Sequence, residues 1–126
     1  MAKVKYAFGE LEQAIMDVAW ALPTVTVRDV VQTLKRRRVA YTTVMTVMNR
    51  LVAQRALIRQ PGPNGAFVYR SRQSRELHSA EASRVAIDDL LRRYGSVALA
   101  QFVDRLDRVP SEKLAELRRQ LKRSSS

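Results

Sequence analysis

The sequence predicts a mainly α chain with one small β-hairpin, and three observations predict it. Apolar residues recur at three- and four-residue steps over most of the chain, which is a helical period. The stretch "ALIRQPGPNGAFVYRSR" breaks that period, setting two runs of strand formers around a turn. Helical segments stand on both sides of it, three before and more after.

In the first helix, Glu10 to Ala21, Leu11, Ala14, Ile15, Val18 and Leu22 follow helical spacing. Glu10 and Glu12 suit its first turn, Pro23 ends it, and Trp20 packs at its end. The second helix opens at Thr26, with Asp29 three residues on in a capping-box spacing. Val27, Val30, Val31 and Leu34 lie on one side, and the helix ends in the basic run Lys35, Arg36, Arg37 and Arg38. After a turn of a few residues, "AYTTVMTVMNRL" starts a third helix that continues to Arg55. Two short helices joined so tightly must cross steeply. Leu57, Ile58, Phe67, Val68 and Tyr69 then form the hairpin around "PGPNG", where Asn64 and Gly65 tolerate positive φ. "TVT" at Thr24 to Thr26 is a candidate third strand. Three helices and a hairpin are the order of a winged helix-turn-helix domain.

The remainder is helical. From Ser74 to Tyr94, Ala80, Ser83, Ile87, Leu90, Leu91 and Tyr94 form a stripe that Gly95 stops. Leu99, Phe102, Val103 and Leu106 form the apolar face of the next helix. Ser111 caps a last one, bearing Leu114, Leu117 and Leu121, before an unstructured Ser124–Ser126 tail. Three thin amphipathic helices do not enclose a core alone. Their stripes are covered either by a second copy, giving a two-fold dimer through C-terminal dimerisation helices, or by folding back on the first domain. The expected division is a winged-helix domain over residues 1–73 and a helical dimerisation region over 74–126.

Composition narrows the function. The 126 residues carry a formal charge of +11, with a pI near 11.0, which points to a polyanionic partner, nucleic acid or an acidic membrane surface. There is no cysteine and one histidine, His78, read as a solvent-facing or capping residue; neither a thiolate metal site nor a histidine cluster is available. No apolar run approaches the roughly 20 residues of a membrane span, and "MAKVKYAFGE" lacks a signal peptide's apolar stretch, so a soluble cytoplasmic protein without cofactor is expected. No enzyme motif is present: there is no Gly-rich phosphate loop and no spaced nucleophile and base. The acidic pairs Asp88–Asp89 and Asp104–Asp107 lie among arginines, where ion pairs are the default.

The third helix carries the chemistry. Its threonines and valines are poor helix formers, because β-branched side chains lose rotamer freedom there. Advancing about 100° per residue from Thr42 places Thr42, Thr43, Thr46, Asn49 and Arg50 within an arc of about 120°. Val44, Val47, Met48, Leu51 and Val52 take the opposite arc. One face is core, and the other is short and hydrogen-bonding, suited to close approach to the DNA major groove. There Thr contacts bases or a thymine methyl, Arg bonds guanine O6 and N7, and Asn pairs with adenine. Residues 28 to 60 hold eight basic side chains against Asp29 alone. Lys35, Arg36, Arg37 and Arg38, with Tyr41 and with Arg59, Arg70 and Arg72 around the hairpin, are candidate phosphate contacts. A winged helix that binds RNA or compacts DNA without sequence preference is the competing reading.

The segments "GELEQAIMDVAW", "TVRDVVQTL", "AYTTVMTVMNRLVAQRAL" and "NGAFVYRS" together resemble the penicillinase-repressor (BlaI/MecI) family of bacterial transcriptional regulators, over roughly residues 7 to 106. "YTTVMTVMNRL" is the most specific part. The resemblance implies a dimeric winged-helix repressor on a palindromic operator, with Thr42, Thr43, Thr46 and Arg50 as base-facing residues. It also implies a regulatory protease: members are inactivated by cleavage of an Asn-Phe bond in the fifth helix, and the corresponding pair here is Gln101–Phe102. Copper-responsive relatives carry C-terminal cysteine pairs, which this chain lacks, so no metal is expected.

Overall fold

The structure, a computed structural model, describes residues 6–125. In chain order it holds α1 (Glu10–Ala21), α2 (Val27–Thr33), a 3₁₀ turn (Lys35–Arg37), α3 (Tyr41–Ala53), β1 (Leu57–Pro61) and β2 (Phe67–Ser71). Then come α4 (Arg75–Tyr94), α5 (Ser96–Leu106) and α6 (Ser111–Ser125). The fold is mainly α with one antiparallel hairpin, as the periodicity predicts. Half of the N-terminal stretch read for a signal peptide, residues 1–5, lies outside the described residues, as does Ser126 of the tail; Ser124 and Ser125 belong to α6. No described helix is long and apolar enough to cross a membrane. The chain forms two compact units, divided within α4 between Ser83 and Arg84.

The first unit is built around α3. Val44, Met48 and Leu51 have no or almost no exposed surface and pack with Ile15, Met16, Val18 and Ala19 of α1, Val27 and Val30 of α2, and Leu57 and Tyr69 of the hairpin. The β-branched residues of α3 each cost up to about 0.7 kcal/mol in helix propensity. Each buried Val, Leu or Met returns roughly 1.5–3 kcal/mol, so packing decides the conformation. The capping box of α2 is present: Thr26 Oγ1 accepts from Asp29 N at 3.0 Å, and Thr26 N donates to Asp29 Oδ2 at 2.9 Å.

Three boundaries differ from the expectation. α2 stops at Thr33, and the basic run forms a separate 3₁₀ turn that Arg38 closes at φ 52. The tight corner into α3 requires this, since a last turn tightens readily to i→i+3 bonding. α3 ends at Ala53 rather than Arg55, because Arg55 at φ 66 turns the chain into β1. Thr24–Thr26 makes no strand, only one antiparallel bridge, in which Val25 and Tyr69 exchange bonds of 2.8 and 2.7 Å. The hairpin turn has Asn64 at φ 48 and Gly65 at φ 78, as "PGPNG" predicts.

His78 is buried, not solvent-facing. Its ring stacks on Phe8 with centroids 4.9 Å apart and lies beside Tyr6 and Trp20, and its Nε2 lies 3.1 Å from the carbonyl oxygen of Tyr6. Trp20 Nε1 donates to the Gln73 carbonyl at 3.0 Å, and Arg75 pairs with Asp17. These interactions fix the start of α4 to α1.

In the second unit Gly95, at φ 57 and ψ −134, makes the corner between α4 and α5, a conformation that a side chain would strain. Ala98 is its one buried apolar residue among those described. Ile87, Leu90, Tyr94, Leu99, Val103 and Leu106 remain exposed, and Leu91 and Phe102 are half-buried.

Candidate nucleic-acid interface

The face of α3 opposite the core is open. Thr42, Thr43, Thr46 and Arg50 are all exposed, while Val44, Val47, Met48 and Leu51 are buried, which is the division read from helical angle. Thr46 Oγ1 donates to the Thr42 carbonyl at 2.9 Å. That back-bond leaves the methyl group and a hydroxyl lone pair for an outside partner.

Asn49 belongs to the same arc but is held from one side. Its Oδ1 accepts from Arg59 Nη1 at 3.1 Å and from Tyr69 OH at 2.9 Å. Arg59 and Tyr69 are direct cross-strand partners in the register of β1 and β2, so they share one face of the hairpin. The Arg59 guanidinium also lies 4.3 Å from the centroid of the Phe67 ring, two residues along β2 on that face. This network ties the hairpin to α3. Angular spacing along one helix carries no sign of it; the direct opposition of Arg59 and Tyr69 across the turn is the sequence signal that points there.

The other candidate backbone residues are not brought onto one surface. Lys35, Arg36 and Arg37 are exposed, but residues in a 3₁₀ turn project about 120° apart, so they radiate. Arg70 stands on the face of β2 opposite Tyr69, apart from Arg59, and is half-buried. Arg72 follows the strand and is exposed, and Tyr41 opens α3 half exposed. Tyr41 and Met45, with Thr26, Val27 and Arg28 and the hairpin residues Gly65, Ala66, Phe67 and Tyr69, line a groove of about 420 Å³ that helical angle alone does not disclose.

Charge pairing distinguishes the cations around α3 from those of the second unit. Among the described residues, no ion pair neutralises any of the eight cations between Arg28 and Arg59. In the second unit Arg92 and Arg93 pair with Asp89, Arg108 with Asp104, and Lys113 with Glu116. Asp89, Asp104 and Glu116 are thus in surface ion pairs, whereas Asp88 and Asp107 are in none among the described residues. No group of three His, Cys, Asp or Glu side chains that could hold a metal ion occurs among the described residues.

Of the expected dimerisation residues, Leu90, Tyr94 and Phe102 line an apolar groove of about 290 Å³ together with Val97, Ala98, Gln101 and Arg105. Gln101 is exposed and Phe102 half-buried in the middle of α5.

Two helices joined by a tight turn, a polar outer face on the second and a hairpin fixed beside it define a winged helix-turn-helix protein of the DNA-binding, transcription-regulating class. The chain belongs to the penicillinase repressor family, whose pattern it matches over residues 8–123. No curated protein sequence matches it. Among solved structures it is similar to wild-type apo MarR from E. coli, at 13% identity and a TM-score of 0.48 over 93% of this chain and 78% of that one. A cysteine-to-serine mutant of the same protein gives 13% identity and a TM-score of 0.48, over 94% of this chain and 79% of that one.

Proposed function

We propose that this chain is a repressor that binds a palindromic operator in double-stranded DNA as a homodimer. α3 enters the major groove, where Thr42, Thr43, Thr46 and Arg50 meet base edges. Lys35, Arg36, Arg37, Arg38, Tyr41, Arg59, Arg70 and Arg72 supply phosphate contacts, each strand of DNA meeting the subset turned toward it. Residues 1–73 form the reading domain and residues 74–126 the dimerising one, and the protein acts in the cytoplasm. The observation that carries this reading is α3 itself: a face of short polar side chains and one arginine, rigidly backed by core, among cations that no carboxylate neutralises.

Covering the exposed row of Ile87, Leu90, Tyr94, Leu99, Val103 and Leu106 with a second copy removes apolar surface from water, and its two-fold axis matches a palindrome. The bond that would take a regulatory protease's cut is Gln101–Phe102, where Gln stands in place of the family's Asn. Because it lies within α5, that cut requires the helix to open first. Selection of bound fragments from the genome of origin tests the reading. Repeated inverted half-sites are expected; recovery of fragments without a common sequence refutes it in favour of non-specific nucleic-acid binding.

A further inference from the structure

Asn49 borders Thr46 on the open arc of α3, yet its carbonyl oxygen is fully occupied. Arg59 Nη1 at 3.1 Å and Tyr69 OH at 2.9 Å both donate to Oδ1. A guanidinium has no acceptor, so the amide must turn its oxygen toward Arg59, and two donors fill the two lone pairs of that oxygen. Both donors are themselves held. Tyr69 is 2% exposed and bonded through its backbone to Val25, and Arg59 is braced over the Phe67 ring. Among the described residues nothing accepts from Asn49 Nδ2, which keeps two N–H bonds for an outside partner.

We infer that Asn49 is a specificity-determining residue that reads DNA as a hydrogen-bond donor alone and excludes cytosine at one position of each half-site. The inference rests on α3 being the recognition helix. Asparagine pairs with adenine by accepting from N6 while donating to N7, and here the accepting half is used up inside the protein. What remains is donation, and in the major groove guanine N7 and O6, adenine N7 and thymine O4 all accept it. Cytosine offers only its N4 amino donor, so it faces the Nδ2 group donor to donor. The hairpin therefore sets which polarity of hydrogen bond α3 presents at this position.

The test is enrichment of full-length protein on a random-sequence duplex library, with wild type, Asn49→Ala, Asn49→Asp and the double variant Arg59→Ala/Tyr69→Phe. Wild type is expected to deplete cytosine about two- to tenfold at one half-site position, the worth of one neutral hydrogen bond. Asn49→Ala restores cytosine there and nowhere else. Asn49→Asp keeps both internal bonds and replaces the donor with an acceptor, so it turns the position toward the bases with an amino donor, cytosine and adenine. The double variant frees Oδ1 and turns the same position toward adenine. A profile unchanged by Asn49→Ala, or a wild type that already requires adenine where Asn49→Ala relaxes, overturns the inference alone. A wild type that enriches no sequence overturns the recognition-helix reading and the inference with it. Melting curves of each variant confirm that folded protein is compared.

Discussion

Arg50 and Leu51 are adjacent in sequence, and the structure gives them opposite surroundings, which makes the pair a sharp probe. Arg50 is exposed and has no ion-pair partner among the described residues, whereas Leu51 is 0% exposed at the centre of the core. Arg50→Ala leaves the core intact and places a better helix former in α3, so the melting free energy should stay within about 0.5 kcal/mol of wild type. If Arg50 bonds a guanine edge, the loss falls on discrimination, roughly 1–3 kcal/mol or about 5- to 150-fold between operator and unrelated duplex. Leu51→Ala removes a fully buried side chain and should cost about 2–5 kcal/mol of a total near 5–15 kcal/mol. Its melting temperature should fall by at least about 8 °C, while discrimination by the protein that stays folded is retained. Arg37→Ala is the control for phosphate binding: it should weaken both duplexes alike and lower the salt slope by about 0.9 for each phosphate no longer neutralised. Fluorescence anisotropy on both duplexes across a salt series, with thermal melts of the same samples, reads all three. Equal losses on operator and unrelated DNA for Arg50→Ala would refute the assignment of α3 as a base-reading helix.

Other consequences are checked more simply. Light scattering should give a mass near twice 14.4 kDa, and Val103→Glu, which puts charge into an exposed part of the apolar row, should return it to 14.4 kDa with helix content intact; a wild-type monomer at micromolar concentration counts against the dimer. His78→Ala removes the stack on Phe8 and the interaction with the Tyr6 carbonyl, and should lower stability by about 1–3 kcal/mol with a change in Trp20 fluorescence; an unaltered melt contradicts the packing role. Thr26→Ala deletes the side-chain acceptor of the α2 cap and should cost about 1 kcal/mol, read as a melting shift. In cells given a cell-wall antibiotic, the full-length band should shorten at Gln101–Phe102 if proteolysis is the signal; a stable band excludes it.

The parts of this fold that are legible in the sequence are those caused by neighbours within a turn or two. The Thr26–Asp29 box, the Asn64–Gly65 turn and the two faces of α3 each follow from spacing alone, and each is present. The corner after α2 reads as helix because Lys35–Arg38 suits a helix C-terminus. What cuts the helix short is the reversal into α3, which no composition of those four residues encodes. His78 stands among polar residues and so reads as exposed; it is buried because Tyr6, Phe8 and Trp20 reach it from far along the chain. Asn49 shows the same limit where function is concerned. Its angle on α3 follows from the sequence, and the arc containing it is open. Which of its two amide atoms meets DNA depends on Arg59 and Tyr69, ten and twenty residues away, through the hairpin register and the packing of β2 on the core. A helical angle therefore locates a reading position, but the polarity of the hydrogen bond offered there is a tertiary property. On the proposed reading, the wing acts on recognition through its bonds to α3 as well as through any phosphate it touches.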